Sequence, residues 1–211
     1  MSRYRSKAWR AFQPEQAGAA PPSLSASPIG LGPTSKAAAE SHKPLHDACR
    51  ILGLDPGSRR TGFGVIELHG AEQRCLAHGR VEVDGLSLPA RLARIHAAVA
   101  DLMQRYQPTE VAIEKVFVSR NVDSALKLGQ ARGAALAAVG EAADVAEYAP
   151  RAIKLATVGF GGADKLQVAH MMRAVLKVEG KLTSDAADAL AVALCHAHHR
   201  RLGALLAKSL G

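Results

Sequence analysis

The sequence predicts an α/β domain built on a mixed sheet, and three observations carry that reading. Residues 50–67, RILGLDPGSRRTGFGVIE, hold two apolar runs hinged at a Pro-Gly-Ser turn, the signature of a hairpin. Residues 109–113 form a short β-rich run with a helical pattern on either side, as a parallel crossover strand would. Residues 1–48 break with both: six of the ten prolines fall there among Ala, Ser and Gly, and no periodic apolar pattern survives. Such a composition cannot bury a core, so this segment is expected to be a disordered tail.

The first strand, Ile51-Leu52-Gly53-Leu54, ends at Asp55. A carboxylate at the tip of a buried strand is costly unless it is paired. It either caps its own turn or meets a partner, and a metal ion suits it best. The second strand runs over 61–68, with Gly62 and Gly64 leaving its backbone open to close approach. Residues 73–84 alternate loosely and complete an antiparallel meander. Helical spacing follows over 89–106, through Leu92, Ile95, Val99, Leu102 and Met103, with Pro89 well placed for a first turn. The crossover strand ends in Glu114, a second acid at the carboxyl edge of a sheet, where open α/β sheets build their sites.

Phe117 stands in the loop EKVFVSRN, among cationic and polar groups. It is either a core residue at a helix entry or a stacking platform for an unpaired base. A helix is predicted over 121–143, capped by Asn121, with Gly129 and Gly133 four apart as in a closely packed seam inside the domain or across a dimer axis. Residues 144–148 read as a fifth strand, 151–158 as a short helix bearing Lys154, and 163–176 as a helix with Asp164 and Lys165 in its first turn. The last core helix opens at Ser184 as its N-cap, and Asp185 and Asp188 share one face of it. Two acids there suit the helix dipole on their own account, but the alanines around them let the helix lie close against the sheet. A basic cluster, His196 to Arg201, is read as closing that helix.

Composition narrows the function classes. The chain has 27 basic and 19 acidic residues in 211, a net charge of +8, which favours an anionic partner. The tail holds six Lys/Arg against three acids, so most of the excess lies on the body. No apolar run approaches the roughly 18 residues of a membrane span. Three cysteines without metal-type spacing suit free thiols and a cytoplasmic location. The opening MSRYRSKAWRAF is Arg-rich but has no secretory core, so a DNA-clinging arm or an upstream extension of the reading frame is expected rather than a targeting signal.

Four carboxylates therefore stand out: Asp55, Glu114, Asp185 and Asp188. Clustered, they would repel one another and raise their own pKa values. Divalent ions remove the conflict, and all-oxygen ligation selects Mg²⁺ or Mn²⁺ over zinc. Two such ions clamp the attacking and leaving oxygens of a phosphodiester. Candidate phosphate contacts are Lys115, Arg120, Lys127, Arg132, Arg151, Arg173 and Lys177, each of which could equally be a solvated helix face.

The stretches LGLDPGSRRTGFGVIE, AIEKVFVSRNVDSALKLGQARG, YAPRAIKLATVGFGGADKLQVAHM and TSDAADALAVALCHAH together resemble RuvC-type Holliday-junction resolvases, in the family's order across residues 50–199. The resemblance implies a ribonuclease H-like fold, a five-stranded mixed sheet flanked by helices, with a nuclease domain over 49–202 and a C-terminal tail over 203–211. It implies a homodimer that nicks two opposed strands of four-way junction DNA with Mg²⁺, Mn²⁺ being an accepted substitute, and leaves 5′-phosphate and 3′-hydroxyl ends. The branch-migration proteins RuvA and RuvB are the implied partners. Asp55, Glu114, Asp185 and Asp188 match the family's metal-binding acids, Lys154 and Lys165 its basic residues by the scissile phosphate, and Phe117 the aromatic that contacts junction DNA. The tail before Arg50 departs from the pattern. Rival readings are a sugar-kinase or actin-like ATP-binding protein, a non-catalytic junction-binding module, and a related nuclease acting on structured RNA. The first lacks the small hydroxyl-rich loop that ATP needs, having Pro56 and Arg59-Arg60 instead.

Overall fold

A computed structural model describes residues 30–31, 48–115 and 121–210. The hairpin forms as its sequence suggests. Strand β2 (Cys49–Pro56) pairs antiparallel with β3 (Arg60–His69) in a register that sets Asp55 opposite Gly62. Strand β4 (Glu72–Glu82) completes the meander, with a bulge between Val65 and Ile66. Helix α1 (Leu88–Tyr106) then crosses to β5 (Glu110–Glu114), which runs parallel to β2. Helix α2 (Val122–Val139) crosses again to β6 (Asp144–Tyr148), parallel to β5. The five predicted strands are all present. A two-residue strand, β1 (Gly30–Leu31), adds a sixth at the outer edge of β4, inside the segment expected to be featureless. The order across the sheet is β1-β4-β3-β2-β5-β6.

Three further helices follow: α3 (Pro150–Val158), α4 (Lys165–Leu176) and α5 (Ser184–Leu210). The sheet divides two cores. Leu52, Leu54, Phe63, Val65, Val111 and Ile113 face α1 and α2. Ile51, Ile66 and Ala112 face the α4–α5 layer with Met172, Leu190 and Leu194. Strand alternation then decides where the polar ends point. Asp55 shares its face with Ile51 and Gly53, and Glu114 with Ala112, so both carboxylates project to the α5 side.

Several boundaries differ from the sequence reading. Helix α2 stops at Gly140, whose φ of 57° breaks the helix, rather than running to 143. Asp164 is not in the first turn of α4 but is its N-cap, in a capping box with Gln167. Ser184 is already helical. Thr183 caps α5, accepting from Ala186 N–H at its Oγ1 (3.3 Å) and from Ala187 N–H at its carbonyl (2.9 Å). The His196–Arg201 cluster does not close α5, which continues to Leu210 through the stretch read as a C-terminal tail. Two of those side chains reach back to the sheet instead: His196 bridges Glu110 (2.6 Å) and Tyr148 (2.7 Å), and Arg200 Nε donates to Glu110 (2.7 Å).

Candidate active site

Helix α5 reaches the sheet because three residues facing it have no side chain. A Cβ on Gly53 would lie 2.1 Å from the Ala189 carbonyl, and one on Gly62 would lie 2.0 Å from that of Asp185. A Cβ on Gly64 would meet Leu190 at 2.6 Å. Real Cβ atoms do not approach so closely, so glycine at these points sets the height of the helix above the strands. On the helix side Ala186, Ala187, Ala189 and Ala193 are buried and equally small. Seated so low, the first turn of α5 delivers Asp185 and Asp188 to the sheet edge where β2 and β5 end.

The result is a knot of like charge. Burial first, then the neighbouring Glu114 and Asp188, push the Asp55 carboxyl up to about 8. Burial also raises Glu114, which accepts a hydrogen bond from Asp55 and feels Asp188. Lys154 and Lys165 oppose that rise in Glu114. Lys165 donates to Asp188 at 3.0 Å, and this bond is the main reason that its ammonium holds its proton beyond the usual lysine range. Asp185 faces a second cation, Arg80 of β4, at 3.8 Å. Of the four acids, Asp55, Glu114 and Asp188 thus act on one another directly, while Asp185 stands beside them against Arg80.

Both helix acids are engaged by cations and the two strand acids share a proton. Accordingly, among the described residues, no three of the His, Cys, Asp and Glu side chains are drawn together as around a bound ion. The donor set nevertheless fits a hard divalent cation. It is all carboxylate oxygen, half-buried, and burial, with the repulsion of Glu114 and Asp188 added to it, holds Asp55 protonated near neutrality. Asp55, Glu114, Asp188 and Asp185 are the residues that would hold such an ion.

The other expected contacts divide. Lys115 and Arg151 are exposed, free to meet solvent or phosphate. Arg132 is not: its guanidinium donates to Glu147 at 2.5 Å, tying α2 to β6, so its polar end serves the fold. Lys127 is likewise paired, with Asp123 at 2.6 Å. Phe117 and Arg120 lie outside the described residues. Arg80 escaped the sequence reading, because only the strand register, Gly62 against Arg80, brings it to Asp185. If the site cleaves phosphodiesters, Lys165→Gln should slow that cleavage by about 10²-fold, the effect of losing one charged donor at a reacting phosphate, with little change in melting temperature. Measured rates equal to wild type would leave Lys165 a surface ion pair.

A family model for crossover junction endodeoxyribonuclease RuvC matches residues 51–196. The chain belongs to the RuvC family. Crossover junction endodeoxyribonuclease RuvC of Dichelobacter nodosus is 51% identical over 152 residues, 72% of this chain and 86% of the relative. That of Vibrio cholerae is 54% identical over 149 residues, 70% of this chain and 86% of the relative. Among solved structures, Thermus thermophilus RuvC in complex with a Holliday junction substrate superposes with a TM-score of 0.69 at 38% identity, over 74% of this chain and 96% of that one. The yeast mitochondrial Holliday junction resolvase Ydc2, 10% identical with a TM-score of 0.52 over 72% of this chain and 79% of that one, shares the fold. The ribonuclease H-like architecture and membership among the crossover junction endodeoxyribonucleases stand together on these matches. No helix among the described residues is long and apolar enough to cross a membrane.

Proposed function

We propose that the protein resolves four-way DNA junctions as a homodimer, by Mg²⁺-dependent nicking of two opposed strands that leaves 5′-phosphate and 3′-hydroxyl ends. The observation that carries this reading is the meeting of Asp55, Glu114 and Asp188 with Lys165 at one sheet edge in a basic protein. When bound there, divalent ions supply Lewis acidity for activating water and neutralising the departing 3′-oxygen. The chain's own part is positional and electrostatic. Asp55 and Glu114, fixed on strand ends, and Asp185 and Asp188, fixed on one helical turn, would supply the oxygens that hold the ions. Lys165 and Lys154 set positive charge where the phosphate gains negative charge in the transition state. Glycines 53 and 62 let the α5 backbone lie directly against β2 and β3, which brings the helix acids to the strand ends.

The dimer reading rests on α2. Val122 (68% exposed), Leu126 (62%), Gly129 and Gly133 recur along one face, and a Cβ on either glycine would meet nothing within 4 Å. A stripe of that kind, apolar and flat, fits the same stripe on a second copy about a twofold axis. Phe117 and Arg120, just ahead of this helix, would meet the junction, with Lys115 and Arg151 on phosphates. Residues 49–202 would form the nuclease unit and 1–48 a basic arm. RuvA and RuvB are the proposed partners, and the unpaired thiols of Cys49, Cys75 and Cys195 suit a cytoplasmic setting.

The test is cleavage of a synthetic four-way junction by the full chain, with and without Mg²⁺, against linear duplex and structured RNA as competitors. Paired nicks at symmetric positions that need the metal support the reading. Preference for RNA, or binding without cutting, replaces it. If several cations neutralise phosphates together, junction affinity should drop by about 10²-fold or more between roughly 50 and 200 mM salt. A flat dependence would remove the phosphate-contact group.

A further inference from the structure

The two lysines at the site come with apolar neighbours that no core uses. Leu155, next to Lys154, is 58% exposed, and Leu166, next to Lys165, is 82% exposed. Between them the chain turns through Gly159-Phe160-Gly161-Gly162, and Phe160 is 47% exposed, whereas Phe63 is wholly buried. The loop that presents this ring is built rather than slack. Gly159 ends α3 in the left-handed region, at φ 90°, with its N–H on the Leu155 carbonyl at 3.0 Å. A Cβ on Gly161 would strike the Arg151 side chain at 2.7 Å, so the stem of Arg151 braces the loop from α3. On the far side Ala163 N–H returns to the Phe160 carbonyl at 3.4 Å, and Ala163 is buried.

Exposed apolar groups contiguous with a polar site mark a binding surface. The two helices and the loop that carry Lys154, Lys165 and Arg151 also carry the exposed Leu155, Phe160 and Leu166, and Lys165 in turn reaches Asp188. An occupant of this corner must therefore offer both anionic groups and flat apolar faces. A backbone phosphate followed by an unstacked base does so, while a paired duplex hides its base faces. A second copy of the chain is the weaker fit, because the cations here would face their own images and α2 already offers an uncharged stripe.

We infer that the α3–α4 corner is a nucleobase platform, on which Phe160 stacks a base displaced from pairing beside the phosphate held by Lys154 and Lys165. The inference rests on the junction-cutting function proposed above and names the state of the DNA that the site accepts. Phe160 touches a base and not the reacting atoms, so its effect falls on how the strand is positioned.

The probe is a synthetic four-way junction carrying 2-aminopurine in turn at each nucleotide flanking the cut. In an Asp55→Asn background, which keeps the junction intact, binding should change the fluorescence of at least one of these positions. Adding Phe160→Ala should abolish that change, and Phe160→Trp should restore it. In otherwise wild-type protein, Phe160→Ala should slow cutting roughly 5- to 100-fold, the range that loss of one aromatic–base stack produces. Its affinity for the junction should change less than about threefold, since phosphate contacts set it. Fluorescence and cutting unaffected by Phe160→Ala would overturn the platform. So would equal losses in the Ala and Trp variants accompanied by a lower melting temperature or an altered dimer mass, which would make the ring structural. A wild-type protein that cuts no junction would instead remove the underlying function, so the two failures are distinct.

Discussion

Asp55→Asn should abolish strand cutting, leave junction affinity within about threefold, and make the metal-free protein more stable at alkaline pH. The last effect follows from the burial and crowding of the carboxyl. Its pKa rises from an unfolded value near 3.8 to about 8 in the fold. A raised acid binds protons more tightly in the native state, so metal-free stability is highest below the unfolded value and declines as pH climbs through the folded one. The window of loss is therefore about pH 4 to 8. Asparagine has the same shape and no charge to desolvate, so the variant's melting profile should be flatter across that window. At pH 8 it should exceed wild type in stability. Mg²⁺ should raise the melting temperature of wild type by mass action and do far less for the variant. Cutting by Asp55→Asn at the wild-type rate would sink the assignment of Asp55, and a variant less stable at pH 8 would sink the account of its crowding.

That much of the site was legible because it depends on local periodicity. The apolar runs before Asp55 and Glu114 mark both as strand-end acids, and the alanines around Asp185 and Asp188 announce a helix that sits close; that the two strand-end acids share a face follows only from the β2–β5 register. What the sequence does not reveal depends on contacts between distant segments. Arg80 meets Asp185 only through a register that passes a bulge. Arg132 looks like a free cation until β6 brings Glu147 to it. The histidines after Ala193 resemble a helix C-terminus because such groups favour the negative end of the dipole, yet Glu110 and Tyr148 give His196 partners from the sheet and the helix runs on. Thr183 and Ser184 are both good caps by type, and only the hydrogen bonds choose between them.

The height of α5 above the sheet gives the second large effect. Gly62→Ala adds one methyl group, and in place it would sit 2.0 Å from the Asp185 carbonyl oxygen. Neither backbone has a side chain that could rotate away, so the helix must lift or the strand must bend. Overpacking of this kind costs about 1–3 kcal/mol and sometimes more, and a contact against two backbones belongs at the upper end. Chemical denaturation should register that loss as a lower midpoint. Cutting should fall further than stability alone explains, because any lift of the first turn carries Asp185 and Asp188 away from Asp55. The control lies on the same helix. Gly203 is also helical, but a Cβ there meets nothing within 4 Å, so Gly203→Ala should stabilise the protein by up to about 1 kcal/mol through helix propensity and leave cutting unchanged. If Gly62→Ala behaved like Gly203→Ala, the seating of α5 on bare backbone would not be what assembles the acids. The remaining explanation would then be the pairing of Lys165 with Asp188, which Lys165→Gln tests separately.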